Sequence, residues 1–143
     1  MRSRTSAPSA SSLLLRYLDS SALVKLVVPE SESDRLLAHL ATGGEAVSSI
    51  LSVVEVSRAV ARAGVGAEAA PRVEAVLEAV DLRRIDTEII TAAAGLEPAE
   101  IRTLDAVHLA TALELAAEID ELVAYDRRLL HAAERHGLAT ASP

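Results

Sequence analysis

Four short strand-like segments recur along the chain, at residues 13–18 (LLLRYL), 46–49 (AVSS), 82–85 (LRRI) and 122–125 (LVAY). Each is separated from the next by sequence with helical apolar spacing, and this alternation leaves few folds open. Strands joined through helices need crossover connections, which means parallel pairing and a sheet covered on both faces. The spacing predicts helices over 20–28, 30–41, 50–62, 67–80, 87–95, 104–119 and 127–136, with a loop over 97–103 and a fifth strand over 138–141. Breakers support these limits: Pro29, Gly43-Gly44, Gly64 with Gly66, and Gly137 all follow helical stretches. Pro71 is expected in the first turn of its helix. The fold class is therefore α/β, three layers with a central parallel sheet of four to five strands.

The core must be built without large aromatics. Half of the residues are hydrophobic, yet Phe and Trp are absent and only Tyr17 and Tyr125 are aromatic. Leu, Val, Ile and Ala suit helices packed on a β-branched sheet. At 143 residues and 15.0 kDa, one domain over 13–143 is expected, preceded by a flexible tail at 1–12. That tail, MRSRTSAPSASS, has a transit-peptide-like composition, but the apolar segment after it is interrupted by Arg16 and lacks a small-residue cleavage pattern. No apolar run approaches the ~18–20 residues that span a bilayer, which reads as a soluble, cytoplasmic protein. The lack of Cys excludes disulfides, thiolate metal sites and a Cys nucleophile.

Chemistry enters with the acids. In open α/β sheets ligands bind outside the carboxyl ends of the strands. Asp19 follows the first strand and Asp126 the fourth, so both belong at that edge. Glu55 lies within the first two turns of the helix after the second strand. Asp105 opens the helix leading into the fourth strand, and that helix runs antiparallel to the sheet, so it too begins at the carboxyl edge. Glu45, Asp81 and Asp120 precede strands and fall at the other edge, while Asp86, after the third strand, is a reserve candidate. Each acid also suits a helix start: Asp19, Asp105 and Asp126 as caps or dipole partners, and Ser52 to Glu55 as a capping box. Glu55 in SVVEVS and Asp105 in TLDAVHLA nonetheless have apolar neighbours, where a carboxylate is costly unless paired or coordinated.

Four clustered carboxylates repel one another, and a hard divalent cation resolves the repulsion, because Mg²⁺ or Mn²⁺ prefers oxygen ligands. Two such ions about 4 Å apart can activate water and stabilise a leaving oxygen in phosphodiester hydrolysis. His39, His108, His131 and His136 are scattered, which makes zinc the weaker proposal. A net charge of −7 speaks against a nucleic-acid binder, but removing the four negatives takes −7 to −3, and the cations would themselves attract phosphate.

LDSSALVKL, SVVEVSRA, LDAVHLATAL and VAYDRRLL, in this order and spacing, resemble the PIN-domain ribonucleases, specifically VapC toxins of type II toxin–antitoxin systems. The resemblance runs from about residue 14 to 143. It implies a PIN-like α/β/α nuclease that cuts RNA with Mg²⁺ or Mn²⁺ held by Asp19, Glu55, Asp105 and Asp126. It also implies a homodimer neutralised by a cognate antitoxin whose C-terminal segment covers the active site. Two positions depart from the pattern: Ser20 stands where Thr is common, and Ala124 where a hydroxyl often lies two residues before the last Asp.

Around the quartet, Ser20 and Ser21 can hydrogen-bond Asp19 or complete a helix start. Arg127 and Arg128 can hold substrate phosphate or simply be solvated. Lys25 reads as a solvated lysine and His108, three residues after Asp105, as a packing or hydrogen-bonding residue. Two other functions compete. A phosphoryl-transfer protein with Asp19 as nucleophile would need a second Asp where Ser21 stands, or paired acids near the start. A catalytically impaired PIN-like binding or dimerisation module is the alternative, and Ala124 is its one support.

Overall fold

The computed structural model describes residues 14–143. Five strands, β1 (Leu15–Leu18), β2 (Glu45–Ser49), β3 (Asp81–Arg83), β4 (Glu121–Val123) and β5 (Thr140–Ala141), form one sheet in the order β3-β2-β1-β4-β5. Every pairing is parallel. Among the described residues seven helices connect them: α1 (Ser20–Val27), α2 (Ser33–Leu40), α3 (Leu51–Arg62), α4 (Gly66–Ala79), α5 (Thr87–Ala94), α6 (Thr103–Glu114) and α7 (Arg127–Arg135). The parallel five-stranded α/β/α architecture expected from the alternation is the one observed.

Period-two alternation on the central strands sorts the core into two layers. Tyr17 of β1 and Leu122 of β4 face a cluster built on α6 and α7, including Leu109, Ala112, Leu129 and Ala133. Their neighbours Leu18 and Val123 face the opposite cluster, with Leu23, Leu36, Val56 and Val60 from α1, α2 and α3. Residues buried on both faces are what a central parallel strand requires.

Arg16, which interrupts the apolar run of β1, is 7% exposed. Its guanidinium donates to Glu121 Oε2 at 3.0 Å, Gly43 O at 2.6 Å and Thr42 Oγ1 at 2.6 Å. Asp120 Oδ2 accepts from the Leu15 amide at 2.8 Å, so these charges fasten the amino edge of the sheet. A buried charge is tolerated when it is fully bonded, and this one is.

Several boundaries differ from the sequence reading. The helix expected over 104–119 stops at Glu114, because turns take over before β4. Pro71 lies in the second turn of α4 rather than the first, near enough to the helix start that only one early carbonyl loses its partner. The expected tail at 1–12, and the first residue of the strand expected from 13, lie outside the described residues. Among the described residues, no helix is long and apolar enough to cross a membrane.

Strand order reverses between β1 and β4: the chain winds outward from β1 through β2 to β3, then crosses to the other side of β1. A crevice opens at the carboxyl ends of strands flanking such a reversal. Asp19 and Asp126 stand at that crevice.

Candidate active site

Asp19 is the residue after β1 and the N-cap of α1. Its Oδ1 accepts from Ser21 Oγ at 2.6 Å and from the Ala22 amide at 3.1 Å. Among the described residues its Oδ2 has no hydrogen-bond partner, although Asp19 is only 3% exposed. Burial pushes its carboxyl up to about 6, partly offset by His108, Ser21 and the Ala22 amide and reinforced by Asp105. A buried carboxylate with one oxygen uncommitted, on a protein that holds the other in place, is poised to meet a cation.

Asp126 has the same design, three residues past the end of the neighbouring strand β4. It caps α7, with Oδ1 accepting from the Arg128 amide at 2.8 Å and the Leu129 amide at 3.2 Å. Capping therefore accounts for one oxygen of each Asp and leaves the other free. Ser21 ties the two strand ends together: its Oγ donates to Asp19 and accepts from the Tyr125 amide at 3.1 Å. Ser20, the first residue of α1, makes no side-chain hydrogen bond among the described residues and lines the groove between α1 and α3.

Asp105 sits in the first turn of α6 without capping it, since Arg102 is the N-cap and no side chain closes that end. Burial raises its pKa, the charges of Asp126 and Glu55 raise it further, and His108 and Arg102 oppose them. Glu55 is in the second turn of α3, and the capping box expected with Ser52 does not form. Ser52 Oγ bonds Ser48 Oγ at 2.8 Å, Ser49 Oγ accepts from the Leu51 amide at 3.1 Å, and Glu55 turns instead to His108. Glu55 Oε1 lies 2.7 Å from His108 Nε2, and His108 Nδ1 lies 2.8 Å from the Tyr17 hydroxyl.

The fold thus gathers Asp19, Glu55, Asp105 and Asp126 at one edge, close enough that Asp105 senses both Asp126 and Glu55. Among the described residues no three His, Asp or Glu side chains close on a common point. The donor set fits a hard divalent cation: the free donors are carboxylate oxygens and the Ser20 hydroxyl, and both nitrogens of the nearest imidazole are already engaged. Asp86, the reserve candidate, is exposed and caps α5 through the Ile89 amide at 2.9 Å, and it contributes to neither Asp19 nor Asp105.

Two further expectations change. Lys25 is not a solvated lysine: its ammonium bonds Glu32 at 2.9 Å and Glu30 at 3.2 Å and lies 4.6 Å from the Tyr125 ring centre. Ala124 is fully buried among Leu109, Leu122 and Leu129 on the α6–α7 side of the sheet. In this chain the hydroxyl that orients the first carboxylate comes from Ser21 instead.

The PIN-domain family profile matches residues 16–135, all four acids included. A relative from Mycobacterium tuberculosis (strain ATCC 25618 / H37Rv), Ribonuclease VapC46, is 46% identical over 127 residues, covering 89% of this chain and 96% of its own. The chain belongs to the VapC ribonucleases of the PIN-domain family. Ribonuclease VapC35 of the same strain is 43% identical over 131 residues, again covering 89% of this PIN protein and 96% of the relative. Solved PIN structures share the fold at low identity. M. tuberculosis VapC20, described as a sarcin–ricin loop cleaving toxin, superposes with a TM-score of 0.71 at 16% identity, covering 90% of this chain and 99% of that one. VapBC2 of Rickettsia felis, bound to a DNA fragment from its promoter, gives 0.66 at 12% identity, with 90% and 98% covered. A toxin–antitoxin complex from Klebsiella pneumoniae gives 0.60 at 17% identity, with 80% and 89% covered. VapC ribonucleases of this family are generally dependent on divalent metal.

Proposed function

We propose that this chain is the toxin of a type II toxin–antitoxin system, an endoribonuclease that hydrolyses RNA phosphodiester bonds with Mg²⁺ or Mn²⁺ held by Asp19, Glu55, Asp105 and Asp126. The observation that carries the reading is Asp19: buried, with a raised pKa and one oxygen uncommitted, at the point where strand order reverses. When bound, the cation supplies positive charge where the phosphate's negative charge builds and makes water a better nucleophile. The chain's own work is positioning. Ser21 and the α1 amide hold Asp19, and the α7 amides hold Asp126. Retention of all four acids speaks against a module that binds without cutting.

Toxin–antitoxin complexes among the structural neighbours support an antitoxin partner. A cognate antitoxin that covers the acidic edge, a homodimer and a cytoplasmic site of action, where the RNA is, complete the reading, and residues 1–12 stand outside the catalytic domain. Purified protein should cut RNA with Mg²⁺ or Mn²⁺ and stop on chelation. Cutting that continues unchanged in excess EDTA would overturn the metal assignment.

Arg127, Arg128 and Arg135 of α7 are exposed, and with His131 and Glu100 they line a cavity of about 330 Å³. Among the described residues none of the three forms an ion pair, so they are free to meet phosphates 3′ or 5′ of the cut. Charge reversal at Arg128 and Arg135 together should weaken RNA binding about tenfold and flatten the salt dependence by about 0.7 per lost contact, measured by filter binding on a non-cutting background. An unchanged salt slope would place the RNA elsewhere.

A further inference from the structure

We infer that His108 is a positioning residue for Glu55, holding its carboxylate ready for the cation through a buried chain that begins at the Tyr17 hydroxyl. The inference rests on the metal-dependent reading above. Three elements contribute one link each: Tyr17 from β1, His108 from α6 and Glu55 from α3. Tyr17 and His108 are both fully buried, while the Glu55 side chain retains 19% exposure and so lies at the boundary with the crevice.

The carboxylate can only accept, so Nε2 carries a hydrogen and donates to Glu55 Oε1. Nδ1 and the Tyr17 hydroxyl share the second bond at 2.8 Å, the phenol donating when the ring is neutral and accepting when it is charged. Burial raises the Tyr17 pKa, so the phenol stays protonated in either case. The Tyr17 and His108 rings meet edge-on, centroids 5.9 Å apart and planes at 79°, so the imidazole is fixed by packing as well as by bonds. With both nitrogens engaged, the ring is held out of any ligand set, and its direct bond to the quartet is to Glu55.

What the chain achieves is orientation. Glu55 is flexible and would otherwise scatter over rotamers at the rim of the groove. Bonding Oε1 leaves Oε2 as the free donor, the same one-oxygen-held, one-oxygen-free design seen at Asp19 and Asp126. Because His108 is on α6, three residues after Asp105, the bond also fixes the helix bearing Glu55 relative to the helix bearing Asp105. Groups that orient metal ligands in this way change metal affinity by ~10–100-fold when removed.

The test is Mn²⁺ binding by calorimetry on the full chain, with thermal melting beside it. Tyr17→Phe keeps the packed ring and removes only the anchoring hydroxyl, and it should weaken binding several-fold. His108→Leu should weaken it by ~10–100-fold, and His108→Gln, whose amide N–H reaches toward Glu55, should recover part of the loss. A purely structural role would give melting changes without that recovery. Folded Tyr17→Phe and His108→Leu proteins that bind Mn²⁺ with the parental constant overturn the inference while leaving the metal site standing. A wild-type protein that binds no Mn²⁺ overturns both, and the two failures are told apart by that one titration.

Discussion

Asn in place of Asp19 is expected to abolish RNA cleavage and, at neutral pH without metal, to make the fold more stable. Loss of one member of a catalytic set that acts as a unit costs on the order of 10⁴ in rate. Stability moves the other way because the native carboxylate is buried at a cost. Its pKa is raised from 3.8 to about 6, and two units correspond to about 3 kcal/mol of penalty on the charged form. Asn keeps an oxygen for Ser21 Oγ and the Ala22 amide, so the cap of α1 survives while the buried charge goes. For a domain of this size the gain reads as a rise of about 10 °C in melting temperature.

The pH dependence fixes the sign. Below about pH 4 both folded and unfolded wild-type chains hold the Asp19 proton, and the penalty is absent. Between 4 and about 6 the unfolded chain gives the proton up first, so metal-free stability falls as pH rises, and above about 6 the penalty is complete. Melting in EDTA at pH 4 and pH 7.5 should therefore show the two proteins converging at the lower pH and Asp19→Asn ahead at the higher. A variant that melts below wild type at pH 7.5 would mean that Asp19 is chiefly a structural cap.

Much of this site was legible because the fold converts sequence order into position. Once strands alternate with helices, an acid directly after a strand must lie at the carboxyl edge, which is how Asp19 and Asp126 are found. Asp105 follows from the direction of α6. Capping could not be separated from a site role in sequence, because at Asp19 and Asp126 capping occupies one oxygen of the carboxylate and leaves the other without a bond among the described residues. At Glu55 the local reading failed: SVVE matches a capping box, but a tertiary partner, His108, took the side chain.

The illegible parts all depend on pairings across distant segments. Buried Arg16 pairs with half-buried Glu121 although nothing near either residue in sequence announces the other. Lys25 lies over the ring of Tyr125, which arrives only after β4. The one signal for the His108 chain was a histidine within an apolar helix, three residues from an acid. Its partners come from β1 and α3, so only the assembled fold joins them.

Asp105→Asn is expected to remove divalent-cation binding and RNA cleavage together, with the fold intact. Asp105 is pressed by two carboxylates as well as by burial: Asp126 and Glu55 both act against its charge. That pressure is relieved when a cation binds, so losing this side chain should cost at least ~100-fold in affinity. Proton counting separates its contribution from that of Asp19. At pH 6 the Asp19 carboxyl is about half protonated, so cation binding to wild type should release at least about half a proton. Calorimetry in buffers of different ionisation enthalpy measures that release directly. The release should fall by about that half proton in Asp19→Asn, which no longer has the group to titrate. Binding to Asp105→Asn with wild-type affinity and proton release would move the cation off the quartet's centre and leave Asp19 and Asp126 as its holders.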